Sequence, residues 1–458
     1  MKKTTAFVML LSVLAACGGP KWNETQTENG YNLITQKKGQ TLAYTPGSGV
    51  TILTEDGYAF KDLNRNGTLE PYEDWRLSAE ERAEDLASRL PVEEIAGMML
   101  YSSHQSVPSR GGMFGGATYN GKPFAQSGAK ASDLSDAQKK FLIEDNLRAV
   151  LVTTVESPAV AAEWNNNMQA LVEGYGHGVP VNTSSDPRHE TSATAEYNYG
   201  AGGEISHWPT SLGLAATFDP ELVQQGARFA AIEATANGVR WTFSPMLDIA
   251  RDPRWGRIAE GSGEDTYLDT QMGVAMVKGY QGETFDQTSM AACVKHFVAY
   301  GAAEGGRDYN TTWIPEVQLR ETYLPPFKAA LDAGSLSLMC SFNDINGVPL
   351  SANKHLMKDI LRDEWQYDGL LVSDYASTEN MTKHGNCANL KEATLLSINA
   401  QMEMDMESHA YLLHLKELVK EGAVKEELLD VCVRNILRMK FRLGLFDNPY
   451  CAVENPDF

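Results

Sequence analysis

Gly369-Leu370-Leu371-Val372-Ser373-Asp374-Tyr375 is the stretch whose reading decides the fold. Four apolar residues in a row, with Asp368-Gly369 at the start and a polar run after, read as a buried parallel strand. The strand ends on a carboxylate. In parallel α/β proteins the C-terminal ends of strands carry the chemistry, so Asp374 is a candidate nucleophile. Taken alone it reads more readily as a helix cap or a turn residue. Its neighbours decide between these.

Outward from that strand, apolar runs alternate with helical patterns. Strands are predicted at 95–101, 147–155, 179–183, 239–243, 290–296, 336–341, 370–373 and 400–404. Helices are predicted between them at about 159–174, 220–237, 265–281, 319–334, 353–364 and 383–398, with a helical tail at about 410–442. Eight strands alternating with helices predict an α/β fold, a (β/α)8 TIM-type barrel with an N-terminal extension and a C-terminal helical tail. A doubly wound sheet would show a Gly-rich phosphate turn after its first strand. Gly111-Gly112-Met113-Phe114-Gly115-Gly116 opens onto no helical pattern and reads as a mobile loop.

The 458 residues can bury a large core, and 43% apolar with 22% charged residues is ordinary for a globular protein. A net charge of -21 argues against a nucleic-acid partner and suits a neutral or cationic small substrate.

The first residues read as an export signal rather than fold. Lys2 and Lys3 precede an apolar stretch from Ala6 to Leu14, then Leu14-Ala15-Ala16-Cys17. A Cys at the cut resembles the lipobox of bacterial lipoproteins. This predicts a signal peptide at 1–17 and a lipid anchor on Cys17. It also predicts export to the periplasm or cell surface, with anchoring at the outer membrane. Cys293, Cys340, Cys387, Cys432 and Cys451 show no CxxC spacing, so neither a disulfide framework nor a zinc site is expected.

Residues 18–60 are polar and read as a tether with one short hairpin. A calcium-type loop follows at 61–75, in Asp62-Leu63-Asn64-Arg65-Asn66-Gly67-Thr68-Leu69-Glu70-Pro71-Tyr72-Glu73. Asp62, Asn64 and Asn66 fall at loop positions 1, 3 and 5. Gly67 gives the turn, Thr68 a backbone carbonyl, and Glu73 a closing bidentate carboxylate. Hard oxygen donors suit a structural Ca²⁺; no catalytic cofactor is expected. A helix is predicted from Asp74 to Leu90.

In a barrel the residues after each strand converge. They are Asp186-Pro187-Arg188-His189, Asp248, Asp252 to Glu260, Gly263-Glu264-Asp265, Lys295-His296, Asn343, Asp374, and Glu403 with Asp405. Carboxylates, cations and a Trp on one face suit sugar recognition through bidentate hydrogen bonds and ring stacking.

These motifs resemble glycoside hydrolase family 3, the β-glucosidase family. Lys295-His296-Phe297 with Tyr300-Gly301 and Glu304 through Asn310 is similar to its central motif. Asp252-Pro253-Arg254-Trp255-Gly256-Arg257 through Asp265 is similar to its second signature, and Ser373-Asp374-Tyr375 to its nucleophile motif. The resemblance runs from about 60 to 450, placing the family's N-terminal barrel at 76–450 and the start of a linker at 451–458.

The resemblance implies a retaining, exo-acting β-glycosidase that hydrolyses terminal β-D-glucosyl residues through a glycosyl-enzyme on Asp374. Asp186 would hold hydroxyls on the far side of the glucose ring. Arg257, Lys295 and His296 would bind neighbouring hydroxyls and keep Asp374 ionised. Three departures bear on activity. Phe342 stands where a Tyr is frequent. Ala400-Gln401-Met402-Glu403 replaces an Ala-Gly-x-Asp pattern. The family's acid/base Glu lies on a second domain, expected to be missing here, and the loop from Gly301 to Arg307 lacks the His that single-domain relatives use. A weakly active or non-catalytic glycan-binding lipoprotein and a single-domain β-N-acetylhexosaminidase are the alternatives.

Overall fold

The computed structural model describes residues 20–109, 117–186 and 205–452. The export signal with Cys17, the Gly-rich stretch at 111–116, Arg188, His189 and residues 453–458 lie outside the described residues.

Eight short strands run parallel: β1 (Leu100–Tyr101), β2 (Ala149–Val155), β3 (Asn182–Ser185), β4 (Val239–Thr242), β5 (Cys293–Phe297), β6 (Ser337–Cys340), β7 (Leu370–Val372) and β8 (Asp405–Met406). One sheet pairs β8-β1-β2-β3-β4 and another β5-β6-β7. Isolated parallel bridges Trp241↔Ala291 and Met246↔Lys295 set β4 beside β5, and Val372↔Met404 sets β7 beside β8. The chain is therefore an α/β protein built on parallel strands, with helices between them.

The strands read as continuous apolar runs because both of their faces are covered. Leu371, Leu338, Val150 and Val152 point into one buried cluster. Leu370, Val372, Met339 and Leu151 point into the other. The alternation is the two-residue period of a strand. Helices at Pro158–Glu173, Pro220–Ala236 and Thr266–Gln281 fall within a residue or so of the expected bounds.

Four expectations need correction. Residues 95–99 are not strand. Val92–Met98 is a helix, with Glu93 and Glu94 in its first turn where its N-terminal dipole favours acid. The eighth strand is not 400–404 but Asp405–Met406, because Gln401 turns the chain left-handed (φ 62) after the helix Leu390–Asn399. The span 383–398 is two helices. Gly385 (φ 78) follows the end of Ser377–Lys383, and Asn389 caps the next by accepting from the Glu392 amide. The helix foreseen from Asp74 starts late, at Ala79–Ala87, where Ser78 and Glu81 form a capping box.

The N-terminal extension is not a tether. Trp22–Gln26, Asn32–Gln36 and Leu42–Tyr44 form an antiparallel sheet, and Thr51–Glu55 pairs with Tyr58–Asp62. Buried Lys61 ties this unit down. Its Nζ lies 2.9 Å from Glu173 on the helix Pro158–Glu173 and donates to the Ala43 carbonyl. The Tyr450 hydroxyl donates to the same Glu173 (2.8 Å), so both ends of the described chain meet on one carboxylate. Among the described residues no helix is long and apolar enough to cross a membrane.

Candidate active site

The strand ends bring the predicted residues together. Asp374 follows β7 and is only 6% exposed. One oxygen, Oδ1, accepts from the Tyr375 amide (2.7 Å). The other, Oδ2, has no hydrogen-bond partner among the described residues. It lies 3.5 Å from His296 Nε2, an ion-pair distance when that ring is protonated. The His296 ring is fixed from behind, with Nδ1 2.7 Å from Asp248 Oδ2, and Arg257 approaches its Nε2 at 3.3 Å. Arg257 is itself held by Glu260 through two hydrogen bonds of 2.8 and 2.9 Å. Lys295, one residue before His296 on β5, donates to Asp186 Oδ2 at 3.0 Å, and Asp186 Oδ1 has no partner among the described residues.

Asp374, Asp186, Arg257, Lys295 and His296 thus form one linked cluster. Its electrostatics differ from expectation in one respect. Lys295, the Tyr375 amide and Arg257 all pull the Asp374 pKa down, but burial outweighs them and Asp186 adds to it, so the pKa stands at about 6. The cations limit the rise rather than depress the value. Burial also pushes Asp248 well above the usual carboxylate range.

Other strand-end residues divide into site and scaffold. Trp255 and Tyr300 wall the cluster: the Tyr300 ring sits 5.1 Å from His296 and 5.5 Å from Trp255, whose indole donates to Asp308. Phe342 packs on Tyr309 at 4.3 Å. Arg254 is exposed and paired with Asp252. Asn343 donates to Thr312 (3.0 Å), Asp405 accepts from the Ala410 amide (2.9 Å), and Glu304 is exposed on a short turn.

Glu403 was expected on the strand-end face. It is instead a buried scaffold group, 2.8 Å from Arg362 and accepting from the Leu371 amide (2.8 Å) and from Asn435. The physical reason is the late start of β8, which leaves Glu403 two residues before it. The same shift places Glu407 directly after β8, a position the sequence reading passed over. His104, after β1, was also passed over; its ring lies 4.9 Å from that of Tyr375.

The loop at 61–75 closes on itself. Asp62 accepts from the Asn66 and Gly67 amides (3.0 Å each). Glu73 accepts from Leu63 (2.7 Å) and Glu70 (3.1 Å). Asn64 accepts from Asn66, and Asn66 from the Thr68 amide. Glu70 joins this set, and burial together with Glu70 raises Glu73 to about 7. Among the described residues no three His, Cys, Asp or Glu side chains converge as a metal cluster.

Comparison with known proteins agrees with this geometry. The model of the glycosyl hydrolase family 3 N-terminal domain matches residues 124–439. A periplasmic β-glucosidase of Salmonella typhimurium is 43% identical over 249 residues, 54% of this chain and 32% of that protein. A periplasmic β-glucosidase/β-xylosidase of Dickeya chrysanthemi is 33% identical over 443 residues, covering 88% of this chain and 64% of its own length. Among solved structures, β-glucosidase from Listeria innocua in complex with glucose superposes with a TM-score of 0.67 at 35% identity. That match covers 81% of this chain and 48% of that one. The chain therefore spans 32% to 64% of the length of these relatives. On the family match and on these identities, the chain belongs to glycoside hydrolase family 3.

Proposed function

We propose that the protein is a retaining β-glycosidase that removes terminal β-D-glucosyl residues, with Asp374 as nucleophile. The observation that carries this is the carboxylate itself. Asp374 Oδ2 is buried at a strand end, without a hydrogen-bond partner among the described residues, and surrounded by Lys295, His296, Arg257 and Asp186. A carboxylate oxygen with no donor on it keeps its lone pairs for an electrophilic carbon. It would attack the anomeric carbon as the glycosidic bond breaks, forming a glycosyl ester; water would then release the sugar. Lys295 with Asp186 and Arg257 with His296 offer paired donors and acceptors for ring hydroxyls. The Listeria relative binds glucose, which fits a glucosyl preference.

Retention also needs a proton donor to the leaving group, about 5–5.5 Å from the nucleophile. The relatives are longer than the matched stretch, and in this reading the acid/base Glu lies on a segment corresponding to their unmatched part. The parallel pairings and bridges support closure of the eight strands into a (β/α)8 barrel with the cluster at its C-terminal face. Export to the periplasm with a lipid on Cys17 and a structural Ca²⁺ in the loop at 61–75 complete the proposal. The periplasmic relatives favour the first.

The test is trapping with an activated 2-fluoroglucoside, whose leaving group needs little acid help. Mass spectrometry should find one 2-fluoroglucosyl group on the Asp374 peptide. No adduct, or an adduct elsewhere, overturns the assignment.

A further inference from the structure

One wall of the cluster is aromatic. The Tyr300 ring stands 5.1 Å from His296 and 5.8 Å from Phe342, and Phe342 meets Tyr309 at 4.3 Å. Phe342 sits beside the nucleophile. β6 pairs β7 through Met339↔Val372, and continuing that register sets Ser341 beside Asp374 and Phe342 beside Tyr375. The Ser341 amide donates to the Phe297 carbonyl (2.9 Å), so β6 keeps its course between β5 and β7 up to this point. Phe342 offers the neighbourhood of Asp374 no polar atom. Tyr309, lying on it, does.

Tyr309 belongs to the loop after β5. Its ring is 48% exposed although it packs on Phe342 and, at 6.5 Å, on Tyr300. Its backbone is left-handed (φ 65), a conformation that is costly for an aromatic residue, so the loop holds the ring in place against local preference. Burial, and then the charges of Asp374 and Asp308, raise the phenol's pKa against the pull of Arg257. It therefore keeps its proton at neutral pH and is available as a donor. Asp374 supplies the acceptor. The Tyr375 amide serves Oδ1, whereas Oδ2 has no hydrogen-bond partner among the described residues.

We propose that Tyr309 is a further catalytic residue, whose hydroxyl hydrogen-bonds Asp374 Oδ2 as the sugar is released from it. The proposal rests on the glycosidase reading above and adds a group to its second step. In that step an incoming nucleophile forms a bond to the anomeric carbon. The bond from that carbon to Oδ2 breaks, and its electron pair stays on Oδ2. A phenol donating to Oδ2 stabilises the charge that returns there, and it gains least from the neutral ester that precedes it. In the first step the charge on Oδ2 is spent rather than regained, so the same bond holds the attacking oxygen back. Loss of the hydroxyl thus acts on the two steps with opposite sign. A ring that only shaped the wall would affect both steps alike.

Tyr309→Phe keeps the ring and removes the hydroxyl, and a melting curve shows that the variant is folded. Wild type and variant are trapped with an activated 2-fluoroglucoside, freed of excess reagent and exposed to azide, an anion that attacks the anomeric carbon without help from a base. Intact mass reads both steps, as the gain of one 2-fluoroglucosyl group and then its loss. Release from the variant should be slower by about tenfold or more, the scale of one hydrogen bond to a charged group. Trapping at neutral pH should be at least as fast as in wild type. Equal release from the two proteins overturns the proposal, and so does trapping slowed as much as release. A wild-type adduct that azide does not remove overturns it as well. If the wild type forms no adduct at Asp374, the glycosidase reading falls and this proposal with it. An adduct that both proteins release equally removes this proposal alone.

Discussion

Replacing Asp374 with Asn should abolish adduct formation and at the same time stabilise the protein at neutral pH. The folded pKa of Asp374 is about 6, against an ordinary 3.8, mainly through burial. At about 1.4 kcal/mol per pH unit, that rise corresponds to roughly 3 kcal/mol. The folded chain keeps its proton to higher pH than the unfolded chain does. Below about pH 4 both forms are protonated and the site costs nothing. From about pH 4 to 6 the unfolded chain has released its proton while the folded chain has not, so stability falls as pH rises. Above pH 6 the whole penalty is present. Asn has nearly the same shape and cannot ionise.

Asp374→Asn should therefore melt higher than wild type at pH 7, by about 3–6 °C for a chain longer than 250 residues. The difference should shrink toward zero at pH 4. Calorimetry at the two pH values reads this directly. An Asn variant that melts at or below wild type at pH 7 would refute the argument, because it would mean that Lys295 and Arg257 outweigh burial. The same value governs the chemistry. About one-tenth of Asp374 is ionised at pH 5, so the trapping rate there should be about one-tenth of its plateau, with a midpoint near 6. A flat rate between pH 5 and 7 would contradict it.

Four shorter predictions follow from other contacts. Asp248→Asn removes the carboxyl group that orients His296, so trapping should slow by about tenfold or more while the protein stays folded; an unchanged rate would make the pair a packing feature only. Glu403→Ala strands Arg362 in the core and should destabilise by about 3–5 kcal/mol, measured by denaturant unfolding. A chelator should lower the Tm of the wild-type protein and have no effect on Glu73→Ala; equal melting with and without chelator in wild type would exclude a calcium role. Labelling cells with a fatty acid should mark the full-length protein and not Cys17→Ala, and unlabelled wild type would rule out the anchor.

Much of the site was legible because strand ends are. β7 is apolar on both faces, and its first polar residues must sit where the strand leaves the core; Asp374 is there. The same logic found Asp186, Lys295 and His296. It failed where helix and strand signals overlap. Residues 95–99 are an apolar run within a helix and 400–404 alternate apolar with polar just after one, and a pattern of five residues does not separate a helix end from a strand. The second error mattered more, since placing β8 early promoted Glu403 to the site and hid Glu407. The N-terminal sheet was missed because its strands are polar on their outer faces and buried only at Ile34, Leu42 and Ala43. What no sequence pattern carried was partnership: that Asp248 holds His296, or that Lys61 reaches Glu173, depends on elements far apart in the chain.

That partnership explains the one electrostatic expectation that reversed. Among the described residues, the basic side chains near Asp374 already face other carboxyl groups: Lys295 has Asp186 at 3.0 Å, Arg257 has Glu260 at 2.8 Å, and His296 Nδ1 has Asp248 at 2.7 Å. Among the described residues these groups pair off with other acids, and Asp374 has within ion-pair distance only His296 Nε2, at 3.5 Å, which it shares with Asp248. Burial then wins, and its carboxylate is held at a cost. In the glycosidase reading, the missing positive charge arrives with the reaction. Bond breaking at the anomeric carbon develops oxocarbenium character beside Oδ2, so the interaction that the ground state lacks is present in the transition state, which is where stabilisation speeds a reaction. A nucleophile fully neutralised by Lys295 or Arg257 would be more comfortable in the resting protein and less useful in the chemistry. By the same reasoning, changing Glu260 or Asp186 to free a cation for Asp374 should lower its pKa, at the cost of the pair that is broken, and slow the trapping reaction.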